Sequence, residues 1–575
     1  MHCGVEFYGQ CEIFPLSSVE VSKKISEAEQ LACIILRAEP KNLDALKGLG
    51  LIKLRQRLFG EAINLFKEAF ELSPNDEEIK IKLVSALESQ AKQKAFTSQL
   101  PKSIELIKYA LELYPLNPTL LCRMSLLLSI SKNFTLALEF ANKAFSLEKK
   151  SSEAHSMVGL ALLGLQRLPE AEDKLLKSIS INPDAASAHS NLSLLYRAQG
   201  EYDKALETIK KAALLDDQNP QILNNLGVLY LDCNYLEEAE KSLRRCLDNE
   251  PEYSEAHYNL GRVLLMAEKF TDGWEHSEWR WSCAEFPFGL RNTGITEWEG
   301  QSLKGKTILV WGEQGIGDEI MFASMIPELN SICGKLLIEC DSRLKPIFKR
   351  SFDNITIIKR NDLSSELIKH WDPDYQISMG SLCKFLRKNT PDFQKNKVRY
   401  LKENPELKSQ IHSRYSKLGP GLKIGISWLS GNQIIGPERS VPLKLWGKIL
   451  SFKKCHFINL QYGDVSDEIN WVSSRLGVKI YQDKTIDPKK NAEGWFAQIA
   501  SLDQVISIDN STIQVSGSLG VPTWILLSRK PEWRFGLNRS DHLWHSSARV
   551  YRQKELNNWG PVINEVANDL SHSLK

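Results

Sequence analysis

The stretch "KTILVWGEQGIGDEIMFASMIPEL", residues 306 to 329, holds a β-branched run, a loop with glycines at 312, 315 and 317, and a segment with helical spacing of apolar residues. Strand, glycine loop and helix start, in that order, are the building unit of a parallel α/β sheet. Such loops commonly carry phosphate, because backbone N–H groups and the positive helix end face the ligand. This loop departs from that use. Its glycines do not match the dinucleotide spacing, it lacks the Lys–Ser/Thr pair of a P-loop, and Asp318 puts a negative charge where a phosphate would sit.

Downstream, short apolar runs keep alternating with helical stretches: "KLLIEC", "ITIIKR", "KIGISWL", "CHFINLQ", "VKIYQD", "QVISID" and "TWILL". Continuous apolar strands between helices predict parallel sheets covered on both faces. The segment from Asn404 to Leu422 separates the early strands from the later ones. Two small doubly wound lobes, 306–418 and 419–575, with a cleft between them, are therefore expected, and ligands in such folds sit beyond the carboxyl ends of the strands. The second lobe has its own polar loops. "GISWLSGNQIIGPERS" leaves a strand through Ser430 and Gly431 and presents Arg439 and Ser440. "DNSTIQVSGSLGVP" sets Asp509, Asn510, Ser511 and Thr512 at a helix start, with Gln514 and Gly517 within the helix. Hydroxyls and free N–H groups at a helix start, with an arginine able to bond two oxygens at once, suit a diphosphate; the alternative is that Asp509 to Thr512 only cap the helix, worth about 1 kcal/mol.

Upstream, Pro40, Pro74, Pro115, Lys149, Pro183, Asp217 and Pro251 recur at 34-residue intervals, except for one interval with seven extra residues around "AKQKAFTSQLPK". Gly50, Ser125, Gly159, Ser193, Gly227 and Gly261 keep one register, and Ala62, Ala137, Ala171, Ala205 and Ala239 another. This is the tetratricopeptide period, in which small residues let the two helices of a repeat approach. About six repeats are expected within 1–281, with a degenerate cap before Asp44. Asn191, Asn225 and Asn259 fall 34 residues apart on the first helix of successive repeats. They read either as a ladder holding an extended peptide or as asparagines bonded to neighbouring loops. "FTDGWEHSEWRWSCAEFPF" carries Trp274, Trp279 and Trp281, expected to pack the array against the second half of the chain, and 282–305 reads as a linker.

"GEQGIGDEIMFASMIPEL", "GISWLSGN", "RSVPLKLW" and "DNSTIQVSGSLGVPTWILL", in that order, resemble the family 9 glycosyltransferases that include the bacterial heptosyltransferases. With "GWEHSEWRW" and "PEWRFG", the chain resembles bacterial tetratricopeptide proteins carrying such a domain. The resemblance implies a two-lobed GT-B fold, a nucleotide-sugar donor held by the second lobe (Gly431, Arg439, Ser440, Asp509 to Thr512, Gln514, Gly517), no metal, and Asp318 as general base on the acceptor hydroxyl. Gly315 and Gly317 would then let the acceptor loop turn tightly into the cleft. The resembled motif has histidine where this chain has Gln514, which can bond an oxygen but carries no proton or charge at neutral pH. The last helix, "WGPVINEVANDLSHSL", is expected to cross back to the first lobe.

Two functions emerge as expectations. One is a hexosyl- or heptosyl-type glycosyltransferase acting on a protein or glycan recruited by the repeats. The other is a non-catalytic scaffold whose transferase-like half has lost turnover. With 73 Lys and Arg against 71 Asp and Glu, no nucleic-acid partner is called for, and the arginine-aromatic stretch from Pro531 to Gln553 reads as packing, with Trp533 or Arg534 near the donor nucleotide. Eleven scattered cysteines without metal-ligand spacing, no leader pattern and no long apolar run lead to a cytoplasmic expectation.

Overall fold

The computed structural model describes residues 18–575 apart from 96, 98, 284, 285, 287, 288, 292, 361, 363–367, 369, 396–398, 433–435 and 531. The leader reading of residues 1–17, with Cys3 and Cys11, lies outside the described residues. The chain forms two compact units, 1–216 and 217–575.

Among the described residues of the first unit every regular element is a helix. A leading helix α1 (Ser18–Ala38) precedes five antiparallel pairs: α2 (Leu43–Arg55) with α3 (Phe59–Leu72), α4 (Glu77–Lys94) with α5 (Leu100–Leu113), α6 (Pro118–Ile130) with α7 (Phe134–Leu147), α8 (Ser152–Gly164) with α9 (Leu168–Ile181), and α10 (Ala186–Gln199) with α11 (Tyr202–Leu215). The period is also written in the caps. Asn42, Asp76, Asn117 and Ser151 each accept from a backbone N–H of the first turn of the next helix, which satisfies a donor that has no partner inside the helix. Within a pair the backbones approach as the sequence requires. A Cβ on Gly159 would lie 2.6 Å from Leu175 Cγ, and Ser125, at the equivalent position, donates through Oγ to the Ala137 carbonyl at 2.9 Å. Five of the seven extra residues of the irregular repeat lengthen α4 to 18 residues against 13 for α2 and α6, so the insertion does not break the stack.

In the second unit the pairs continue as α12 (Pro220–Asp232) with α13 (Leu236–Asn249) and α14 (Ser254–Met266) with the short α15 (Phe270–Ser277), which runs into a 3₁₀ turn, Glu278–Ser282. These helices are built into the sheet-bearing half: Trp274 Nε1 donates to the Arg387 carbonyl at 2.7 Å, and Arg539 pairs with Glu268 at 3.0 Å. Two parallel sheets complete the unit. The first has β1 (Thr307–Trp311), β2 (Lys335–Cys340), β3 (Ile355–Lys359) and β4 (Tyr375–Ser378) in the order β3-β2-β1-β4. The second has β5 (Leu422–Ser427), β6 (Cys455–Asn459), β7 (Ile480–Tyr481), β8 (Gln504–Ile508), β9 (Thr523–Leu527) and β10 (Ala548–Arg552) in the order β10-β9-β8-β5-β6-β7. Counted within itself, that order is the doubly wound 3-2-1-4-5-6.

Three details differ from the expectations. Strands β4 and β10 are additional: "YQIS" and "ARVYR" are too short or too polar on one side to stand out as buried runs. The segment read as a linker is partly structural, since Glu297 bridges to Gln376 beside β4 and Trp298 is buried against Phe385. The last helix, Gly560–Ser573, does not cross to the first sheet. Val562, Ile563, Val566 and Leu570 bury into the core of the second sheet with Trp446 and Ile449, and Asp569 accepts from the Tyr551 hydroxyl at 2.9 Å.

Candidate functional site

Both sheets reverse their strand order once, between β1 and β4 and between β5 and β8, and both reversals open at carboxyl ends of strands. The helix after β1, α16 (Ile316–Phe322), packs against the helix after β8, Ser511–Ser518; a Cβ on Gly317 would sit 3.4 Å from Ser511 Cβ. The Tyr400 and Leu401 amides tie the two sheets again by donating to the Ser518 carbonyl at 3.0 and 3.1 Å. The loops at the two reversals thus share one cleft.

In the opening loop the steric demand for glycine falls on Gly312, not on Gly315 or Gly317. A Cβ at 312 would collide with the buried Glu319 carboxylate, whereas at 315 and 317 it would meet only ordinary contacts. The positive φ is taken by Gln314, at +61°, a conformation a non-glycine side chain rarely adopts. Glu319 pairs with Arg360 and accepts from the Asp341 amide at 2.7 Å; burial pushes its carboxyl up to about 7 against the pull of that arginine. Asp318 occupies the third position of α16, where its Oδ2 accepts from the Gly315 amide at 3.2 Å. Its other oxygen pairs with Arg534.

That pair begins a chain of charges across the cleft. Arg534 also pairs with Glu532 at 3.2 Å, Glu532 with Arg439, and Arg439 with Asp509 at 3.0 Å. Burial would lower the Arg534 pKa, but Asp318, Glu532 and Asp509 outweigh it and leave the guanidinium raised. Burial likewise pushes Glu532 up, and Arg439 and Arg534 bring it below its ordinary value. Asp509 stays raised, by burial, with Arg439 opposing. Arg439, expected to hold a diphosphate, is thus ion-paired with two carboxylates, because the segment after β9 folds Glu532 onto it.

A second buried pair lies beside the first. Arg280, from the tryptophan-rich turn after the last repeat, bonds both oxygens of Glu313 at 3.2 and 3.1 Å and the hydroxyls of Ser378 and Ser381 at 3.2 and 2.8 Å. Its guanidinium lies over the Trp281 ring, 4.3 Å from the centroid, and a side chain at Gly380 would strike Glu313. Sequence reasoning passed over Arg280, Glu313 and Glu532. The available signal was their company: one arginine among tryptophans, and acids flanking the glycine loop and "WRF".

The remaining expected residues divide by surroundings. Asn510 caps its helix, accepting from the Thr512 amide at 3.0 Å and donating to Ser427 Oγ at 2.8 Å; Thr512 is buried and Ser511 half-buried. Ser440 accepts from the Ser430 amide at 3.0 Å and so holds the loop in which exposed Gly431 lies close to the Tyr462 hydroxyl. Gln514 and Gly517 turn to the interior. Gln514 Oε1 accepts from Nε2 of His545 at 2.7 Å, and Gly517 lies against that ring, where any Cβ would collide. Burial drives the imidazole pKa down to about 3, so it is neutral, and its Nδ1 has no hydrogen-bond partner.

Two of the three asparagines of the repeats bond across to the preceding repeat. Asn191 is 5 % exposed and donates to Ser156 Oγ at 3.0 Å, in the repeat before it; Asn259 donates to Asn224 Oδ1 at 3.0 Å, again one repeat back. Both amides brace adjacent repeats, and burial withholds Asn191 from a threaded peptide. Asn225 is half-buried.

Among the described residues, no helix is long and apolar enough to cross a membrane, and no group of three or more His, Cys, Asp or Glu side chains is arranged to hold a metal ion. The repeats belong to the tetratricopeptide class: the model for the TPR repeat matches residues 194–234, and a further tetratricopeptide repeat model matches 220–253. Among curated proteins, the chain is similar to Protein FlbA of Caulobacter vibrioides, 28% identical over 436 residues, covering 73% of this chain and 72% of that one. That length exceeds the helical repeats, so the similarity extends into the sheet-bearing half. It is also similar to the type IV pilus assembly protein PilF of Pseudomonas aeruginosa, 31% identical over 131 residues, 22% of this chain and 52% of that protein. The human protein O-mannosyl-transferase TMTC1 is 27% identical over 138 residues, 23% of this chain and 16% of its own length. Of solved structures, a tetratricopeptide repeat protein from Parabacteroides merdae aligns with 42% of this chain and 93% of its own at 18% identity and a TM-score of 0.35.

Proposed function

We propose that the protein is a glycosyltransferase of the two-lobed GT-B type, moving a sugar from a nucleotide-sugar donor to a protein or glycan acceptor brought in by the tetratricopeptide repeats. The observation that carries the reading is the meeting of Asp318, at the reversal of the first sheet, with the Arg439–Asp509 loops at the reversal of the second. Two doubly wound sheets facing one cleft suit a nucleotide on one side and an acceptor on the other. In the step, an acceptor hydroxyl oxygen attacks the anomeric carbon and passes its proton to the Asp318 carboxylate. The bond from that carbon to the diphosphate oxygen breaks, and the nucleoside diphosphate leaves with the electron pair. The Arg534 pair and the Gly315 amide hold the Asp318 carboxylate in place. The sugar is a hexose or heptose.

A second reading, a scaffold that binds partner proteins without turnover, is favoured by the saturation of Arg439 with carboxylates and by the neutral, inward-facing Gln514–His545 pair. Asp318→Asn separates the two, since asparagine keeps the size and capping ability of aspartate. Transfer from a panel of nucleotide sugars, read by mass spectrometry of acceptor and released nucleotide, is expected to fall by about 10²–10⁴-fold with thermal stability nearly unchanged. Wild-type protein that transfers nothing from the whole panel overturns the enzyme reading in favour of the scaffold.

A further inference from the structure

A cavity of about 260 Å³ opens beside the charge chain, walled by Trp274 and Trp533 and reached by Arg280, Glu313 and Arg534. Helix α14 of the last repeat forms part of its lining through Tyr258 and Arg262, four residues apart and so on one helix face. The cavity's other cations are committed, Arg280 to Glu313 and Glu278, Arg534 to Asp318 and Glu532. Arg262 has no hydrogen bond or ion pair among the described residues; it acts on Glu532 only through space, helping to hold that carboxylate below its ordinary pKa. The Tyr258 hydroxyl also has no partner there, and burial raises its pKa, so it remains a donor at neutral pH. A guanidinium and a phenol, both unspent and lining one half-open pocket with aromatic walls, match an anionic oxygen group on a ringed substrate.

We propose that Arg262 and Tyr258 form an anion-binding position for a phosphate or carboxylate of the substrate, so that the last tetratricopeptide repeat is part of the substrate site as well as a recruiting surface. That the cavity serves the substrate rests on the transferase reading; that it binds an anion does not. Arg262, not Arg439, then supplies the free charge in this cleft.

The test is calorimetry on the full chain with inorganic pyrophosphate and with glucuronate as probes, for wild type, Arg262→Gln, Arg262→Lys and Tyr258→Phe. Because neither side chain has a protein partner, the variants should unfold at the wild-type temperature, which circular dichroism checks. Wild type is expected to bind at least one probe. Arg262→Gln should weaken it by about tenfold or more, the loss of one charge-assisted bond, with Arg262→Lys and Tyr258→Phe intermediate. A response to pyrophosphate assigns the phosphate of a nucleotide, a response to glucuronate the carboxylate of a sugar. Equal affinity in wild type and Arg262→Gln, or no binding of either probe by wild type, overturns the position. If pyrophosphate binding depends on Arg262 while no nucleotide sugar is bound or consumed, the anion position stands and the transferase reading falls.

Discussion

The helical unit and the sheet-bearing unit carry their charges in opposite ways. In the first, ion pairs such as Arg167 with Glu170 and Lys102 with Glu105 lie in water, with side chains 48–68% exposed. In the second, the Arg280 and Glu313 side chains are 6% and 0% exposed, and Glu319 meets Arg360 at full burial of its own side chain. Surface pairs contribute about 0–1 kcal/mol and are readily replaced, whereas a buried charge is tolerable only while its partner is in place. One unit therefore gains its shape from apolar and small residues and uses charge for solubility. The other takes on the desolvation cost of several buried charges around one cleft.

The contrast can be broken most forcefully at Arg280. Replacing Arg280 by methionine leaves Glu313 buried without its partner and is expected to destabilise the protein by about 3–5 kcal/mol in urea unfolding, while Arg167→Met in the repeats should cost less than about 1 kcal/mol. Comparable losses for both would erase the distinction. At Gly159 the repeat unit should show its own sensitivity, which is steric. Gly159→Val drives a branched side chain into Leu175 and is expected to cost about 1–3 kcal/mol, whereas the same change at exposed Gly315 should be smaller.

Acid sharpens the comparison further. The native His545 stays neutral because burial lowers its pKa to about 3, while in the unfolded chain it titrates near its ordinary 6.5. Between those values the unfolded state binds the extra proton, so stability is full above 6.5 and is lost as pH falls. The slope for this one histidine is at most about 1.4 kcal/mol per pH unit. Unfolding titrations at pH 7 and 5 should show a smaller acid loss in His545→Gln than in wild type, and an equal loss would remove His545 as the cause.

The repeats were legible because their physics is local. Each helix pair touches its neighbours, so the same small residue must return every 34 positions, and Gly50, Gly159 and Gly227 report a close approach that a reader of the sequence can count. Most strands of both sheets were equally plain, since a strand covered on both faces must be apolar along its length. What sequence could not supply was partnership. Arg439 and Asp318 stand out as chemistry, but only the folded chain brings Glu532, 93 residues from Arg439, and Arg534, 216 residues from Asp318, against them. Asn191 and Gln514 look available in the sequence and are turned inward in the fold. The sequence by itself determined the repeat period, the parallel sheets and the loops that close them. Tertiary structure alone decided which charges are spent on each other and which, like Arg262, are left without a partner among the described residues, because pairing depends on distances of a few ångströms between residues that no local pattern connects.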